Sequence, residues 1–265
     1  GHAGGPANGI RIEMSSELSF EDTEVSGVIG GKGGSGWKWG NAGTAGYASG
    51  VVITASENID FSEVSVSAIW GGEGGYPGNG GPVEPMHGEV GSGFRLSESS
   101  AVYVSDFEII EVTGGKSSIQ GDGWSYGAGI SGDGVGIEVY QATTNITFER
   151  GLIASLKGGP SAMSNWAAGG AHGVRMYEAG DVLLKNLAIA NLSSGNQINT
   201  SPQLTNVGID IDDSGPVAIK HLSLAGVNGT TASPVDGSTG VLLGDAQTQT
   251  VSISNSIISD IAGSC

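Results

Sequence analysis

Apolar and polar residues alternate in short bursts along this chain, and a glycine opens each burst. The phrase reads apolar, polar, apolar, then a polar turn of four to six residues, then a longer alternating run. It begins at Gly9 (GIRIEM), Gly50 (GVVITA), Gly93 (GFRLSE), Gly136 (GIEVYQ), Gly173 (GVRMYE), Gly208 (GIDIDD) and Gly240 (GVLLGD). Strict alternation places successive side chains on opposite faces of a strand. The inward set is then Ile10 and Ile12, Val51 and Ile53, Phe94 and Leu96, Ile137 and Val139, Val174 and Met176, Ile209 and Ile211, Val241 and Leu243. A second apolar row follows at Phe20, Phe61, Val104, Phe148, Leu184, Ile219 and Ile253. A third comes from pairs such as Val64 and Val66, Phe107 and Ile109, Leu187 and Ile189, Leu222 and Leu224.

A unit this short cannot enclose a core alone, so each copy stacks on its neighbours. Three short strands per copy, each feeding an aligned apolar row, predict an all-β fold. The form expected is a parallel β-helix of about seven coils, right-handed by the usual hand of parallel crossovers. A helical solenoid would need apolar residues at i, i+3 and i+4 over ten or more positions, and no phrase has them. The opening glycines lie 41, 43, 43, 37, 35 and 32 residues apart while the phrase stays near 21 residues. The difference is loop, and every loop leaves after the third strand and returns before the next opening glycine. The long glycine-rich loops (30–49, 71–92, 114–135, 158–172) are therefore expected to stack on one edge of the rod. Insertions on one face of a repeat array often mark its binding face.

Glycine accounts for 49 of 265 residues, charged residues for 14% and hydrophobic residues for 38%. That is too apolar for a disordered chain. The formal charge of −17, from 27 acidic and 10 basic residues, leaves no basic cluster for nucleic-acid phosphates. No apolar run is long enough to insert in a bilayer. One terminal cysteine, Cys265, supports neither a disulfide framework nor a multi-cysteine metal site. Residues 1–265 are read as a single β-helix domain cut from a longer array, with neighbouring repeats as its structural partners.

The G-[VI]-x-[IVL] openings, the N-x-x-I turns (Asn186 to Ile189, Asn255 to Ile258) and the GGKGG, GGEGG and TGGK loop starts resemble the pectin-lyase-like parallel β-helices. Within them, the chain is similar to the non-enzymatic members built into bacterial surface and secreted passenger proteins. The resemblance implies an extracellular or cell-surface location and an adhesin-like role. The superfold also hosts lyases, hydrolases and inert stalks, so fold does not decide function.

Two sets of residues compete for the role. The loops hold Trp37, Trp39, Tyr47, Tyr76, Trp124, Tyr126 and Trp166, with Trp70 at a strand–loop junction. Aromatic rings beside glycine-rich backbone suit a sugar face or a macromolecular partner, although such rings also serve as anchors for long loops. Trp37, Trp39, Tyr76, Trp124, Tyr126 and Trp166 are the expected ligand-binding set. The outward column of the first strand reads Arg11, Val52, Arg95, Glu138, Arg175, Asp210 and Leu242, with Tyr140 and Tyr177 two residues further on. Polysaccharide-cleaving β-helices carry catalytic groups on such a face, so an enzyme of this kind would use Glu138, Arg175, Asp210 and Asp212. Alternating charges on adjacent strands also stabilise a ladder without any chemistry. Asp210, Asp212 and Asp213, with Asp245, form the densest acidic cluster. It reads as a solvated corner rather than a Ca²⁺ site, and no cofactor is expected. Binding without catalysis is the leading expectation, a lyase or hydrolase the second, and a passive stalk the third.

Overall fold

The computed structural model describes residues 2–36, 42–76, 87–118, 130–141, 143–161, 168–195, 206–228, 237–244 and 250–262. Each coil pairs a short strand with a long one. The pairs are β1 (Ala7–Glu13) with β2 (Ser16–Ile29), β3 (Ala48–Thr54) with β4 (Glu57–Trp70), and β5 (Gly91–Ser97) with β6 (Ser100–Thr113). They continue with β7 (Gly134–Tyr140) and β8 (Thr144–Lys157), β9 (Ala171–Tyr177) and β10 (Gly180–Ser193), and β11 (Asn206–Asp212) and β12 (Val217–Asn228). The last coil holds β13 (Ser238–Leu243), β14 (Val251–Ser254), β15 (Ile257–Ile258) and β16 (Ile261–Ala262).

The short strands form a seven-stranded sheet in the order β1-β3-β5-β7-β9-β11-β13, and the long strands stack in the order β2-β4-β6-β8-β10-β12-β14. Both sheets are parallel throughout. The chain is a parallel β-helix. Among the described residues no helix is long and apolar enough to cross a membrane.

Register is set by the apolar rows. Phe20 pairs with Phe61, Phe61 with Val104, Val104 with Phe148, Phe148 with Leu184, Leu184 with Ile219 and Ile219 with Ile253. A one-residue slip would turn every one of these side chains outward, which is why the pattern specifies the pairing so strongly. In the middle of the rod the rows are fully buried, and aromatic rings join them. Phe20 stacks on Phe61 at 4.6 Å, and Phe94, Phe107 and Phe148 meet edge to face at 5.7–6.4 Å.

The long strand is not flat. Left-handed residues recur within it at five-residue intervals: Asn58, Glu63 and Ala68 in β4, Ala101, Asp106 and Glu111 in β6, Asp181, Asn186 and Asn191 in β10. Each one resets the alternation, so the buried positions in β4 are Ile59 and Phe61, then Val64 and Val66, then Ile69. In the last coil the same corners, at Asn255 and Asp260, separate three distinct strands that all pair with β12. The two later strands expected from sequence are thus facets of one bent strand. The turn expected to span four to six residues is only two long, a left-handed residue followed by serine. Ser56 Oγ donates to the Thr54 carbonyl at 2.8 Å and accepts the Ser15 N–H, and Ser99 repeats this one coil on. The residues that follow, such as Glu57 and Asn58, join the next strand instead of the turn.

The opening glycines have a packing cause. A Cβ on Gly50 would lie 2.2 Å from Val66 Cγ1, and one on Gly93 would lie 2.5 Å from Ile109 Cγ2. The third facet presses against the backbone there, and only glycine leaves the room.

Candidate functional site

The glycine-rich segments begin and end as ordered limbs. Backbone hydrogen bonds run between outgoing and returning limbs without a break. Gly31 N–H donates to Gly5 O, Gly46 to Gly31, Gly72 to Gly46, Glu89 to Gly72, Gly115 to Glu89, Gly132 to Gly115, Gly159 to Gly132, Gly169 to Gly159 and Gly195 to Gly169, all at 2.8–3.2 Å. A second series joins each outgoing limb to the next coil, with Gly30, Gly33 and Gly36 donating to Trp70, Glu73 and Tyr76. Bonding directions therefore repeat every third residue, the period of a polyproline-II-type helix. Two of the three faces of each limb lie against backbone. A Cβ at Gly115 or Gly132 would sit 1.9–2.0 Å from a carbonyl oxygen of the adjoining limb. The third face is free, and this is the physical meaning of the G-G-x-G-G starts.

The free faces of the outgoing limbs build one side of a trough. Lys32, Glu73, Lys116 and Pro160 lie on successive limbs, and the last residues of the long strands (Ile29, Trp70, Thr113) form the facing column in register. Gly30, Gly71 and Gly114 line it as well, and its volume is about 540 Å³. Ile29 is 62% exposed and Trp70 39%. Lys32 Nζ donates to Glu73 Oε2 at 2.9 Å and lies 4.7 Å from the centre of the Tyr76 ring. Tyr76 is exposed beside the trough, as a binding residue must be. The other aromatics expected to bind, Trp37, Trp39, Trp124, Tyr126 and Trp166, lie outside the described residues.

The returning limbs border a different surface, the outward face of the short strands. Arg95, Glu138, Arg175 and Asp210 stand in one in-register column, with Tyr140 opposite Tyr177. Glu138 lies between two guanidiniums, 3.3 Å from Arg95 Nε and 3.8 Å from Arg175 Nη1. Arg175 also donates to Asp133, a returning-limb residue whose other oxygen accepts the Gly170 N–H at 2.8 Å. His172, almost fully buried, sits 3.2 Å from Asp210 and 4.0 Å from Asp133. The His172–Asp210 and Arg95–Glu138 approaches lack hydrogen-bond alignment. Arg95 Nε donates to Tyr140 Oη at 3.0 Å, and its guanidinium covers the Tyr47 ring at 4.7 Å. Burial alone would lower the Arg95 pKa, but Glu138 and the two tyrosines outweigh it and raise the group above its ordinary value.

This face thus unites Glu138, Arg175 and Asp210 but not Asp212, whose carboxylate packs against Gly244. Asp133 and His172 complete the network. Sequence reasoning had no route to Asp133, which sits on a limb with no alternating pattern. Among the described residues no three His, Cys, Asp or Glu side chains converge as a metal site. Asp245 lies outside the described residues.

Glu89 occupies a place that glycine holds on most of the other limbs. Burial raises its carboxyl pKa, only partly opposed by His87 and Arg95. A raised folded-state value means the fold takes up a proton more readily than the unfolded chain, so stability falls as pH rises through that window. Glu89→Gln is expected to be the more stable protein at neutral pH, by less than about 1 kcal/mol given its solvent screening. The gap should close as pH falls below the ordinary glutamate range. Paired urea titrations across pH check this, and a gap that widens in acid would contradict it.

No protein-family model matches the chain, and no curated protein sequence does either. Among solved structures, a double mutant of a periplasmic alginate epimerase overlaps with a TM-score of 0.27 and 11% identity, over 94% of this chain and 73% of its own. The A-module of a mannuronan C-5 epimerase from Azotobacter vinelandii overlaps with a TM-score of 0.19 and 12% identity, over 92% of this chain and 91% of its own. The register and the limb ladder described above carry the structural argument by themselves.

Proposed function

We propose that this β-helix is a non-catalytic binding rod that holds a carbohydrate chain in the trough on its limb edge. The observation that supports this most is the solvent-facing Trp70 beside Ile29, set above backbone that carries no side chains at Gly30, Gly71 and Gly114. An indole face offers area to the C–H side of a sugar ring, and charged groups at the rim can meet its hydroxyls. Tyr76 with Lys32 extends the same edge.

The charged face of the short strands fits a different task. Its carboxylates are placed among cations from neighbouring coils, so it stitches the stack together and keeps its charges compensated. A lyase or hydrolase needs at least one such group free to exchange a proton with substrate.

The test is affinity electrophoresis through gels carrying a panel of soluble polysaccharides. The wild-type protein is expected to be retarded by at least one of them. Trp70→Ala should lose most of that retardation, by about five-fold or more, as expected for an exposed aromatic anchor. Equal retardation of wild type and variant would refute the trough. No retardation in any gel would leave the rod as a passive stalk.

A further inference from the structure

The charges around the trough narrow the ligand. This protein carries 10 basic residues against 27 acidic ones, and most of its described cations are neutralised in ion pairs. Among the described residues, those without an ion-pair partner are Lys116, Lys157 and Lys220. Two of these three belong to the same edge. Lys116 lines the trough, and Lys157 pairs in register with Thr113, so it continues the Ile29–Trp70–Thr113 column by one coil. The one acidic residue in the trough lining, Glu73, is held by Lys32. The trough therefore runs from an apolar end, Ile29 and Trp70, to a cationic end, Lys116 and Lys157.

We infer that the occupant is an anionic polysaccharide, a chain of carboxylate-bearing sugars lying parallel to the rod axis. This rests on the trough reading above and specifies its ligand. Two features of the site fit such a chain. Successive coils repeat at roughly 4.8 Å, close to the rise of one sugar in an extended polysaccharide, so neighbouring residues of the chain meet equivalent positions on neighbouring coils. Lys116 and Lys157, on adjacent coils, can then each meet the carboxylate of a successive sugar while a ring further along rests on Trp70. A neutral glycan would leave both ammonium groups without partners. Nucleic acid is a poorer occupant, since the remaining surface is strongly acidic and repels a dense row of phosphates.

The test compares β-1,4-linked cello-hexaose with the same hexamer oxidised at C6 to uronates, by titration calorimetry on the full chain. The wild-type protein should bind the oxidised hexamer about ten-fold more tightly than the neutral one. The Lys116→Gln, Lys157→Gln double variant should bind both equally, at the affinity of wild type for the neutral hexamer. Trp70→Ala should weaken both ligands together. Both lysines are partly exposed, and unchanged thermal melting will show that the variants are folded. Equal wild-type affinities, or a preference that survives in the double variant, would overturn the anionic assignment while leaving the trough in place. Unchanged binding in Trp70→Ala, or no binding of either hexamer by the wild type, would overturn the trough and the assignment with it.

Discussion

Gly132→Ala is expected to destabilise the rod by about 3 kcal/mol or more, while Gly180→Ala shifts stability by less than about 0.5 kcal/mol. The two glycines differ in what surrounds them, not in their conformational freedom. A methyl group at Gly132 would fall 2.0 Å from the Glu89 carbonyl oxygen and 2.3 Å from its carbon. Those atoms belong to a limb held on both sides, because Glu89 donates to Gly72 and accepts from Gly115. Neither limb can retreat without breaking the ladder. At Gly180 the nearest atom is Gly215 O at 3.5 Å, an ordinary contact. Urea denaturation of the two variants beside wild type measures the difference. Similar midpoints for both would mean that the limbs are not packed against each other as described.

The second large effect is a coupling between Phe107 and Gly151. These residues face each other in the β6–β8 register, within a row that elsewhere holds Val64, Leu187 and Leu222. A Cβ on Gly151 would lie 2.1 Å from the Phe107 ring, so the ring fills the space that its neighbour gives up. Phe107 is 3% exposed and meets Phe94 and Phe148 edge to face. Gly151→Val should therefore cost about 3 kcal/mol by overpacking, and Phe107→Val about 1–3 kcal/mol by loss of packing. Together they restore an aliphatic row, and the double variant should be more stable than the sum of the single losses by about 2 kcal/mol. Additive losses would show that the ring does not occupy the glycine's space.

Much of this arrangement is legible in the sequence, because a strand advertises its faces with period two. The row from Phe20 to Ile253 and the outward column Arg95–Glu138–Arg175–Asp210 can be read from alternation alone. The equivalence of Asp106, Arg150, Asn186 and His221 is also visible, and all four adopt the left-handed conformation. What their spacing does not announce is that hydrogen bonding continues through such a corner. The limbs were harder still. GGKGG and GGEGG mark them plainly, but a three-residue period of glycines leaves no apolar face to register one limb against another. Asp133 reaches Arg175, and Lys116 reaches the trough, from those limbs, so their neighbours could not be inferred from strand patterning. His172 directly precedes an opening glycine, yet its two carboxylate neighbours come from adjacent coils on opposite sides.

The central claim is that the glycine limbs form a hydrogen-bonded ladder continuous with the β-helix, which holds the trough open along one edge. Amide hydrogen exchange followed residue by residue tests it most directly. The account predicts that Gly46, Gly72, Glu89, Gly115, Gly132 and Gly159 exchange as slowly as the strand amides beside them. Exchange of these six amides at the rate of an open chain, with the strands still protected, would contradict it.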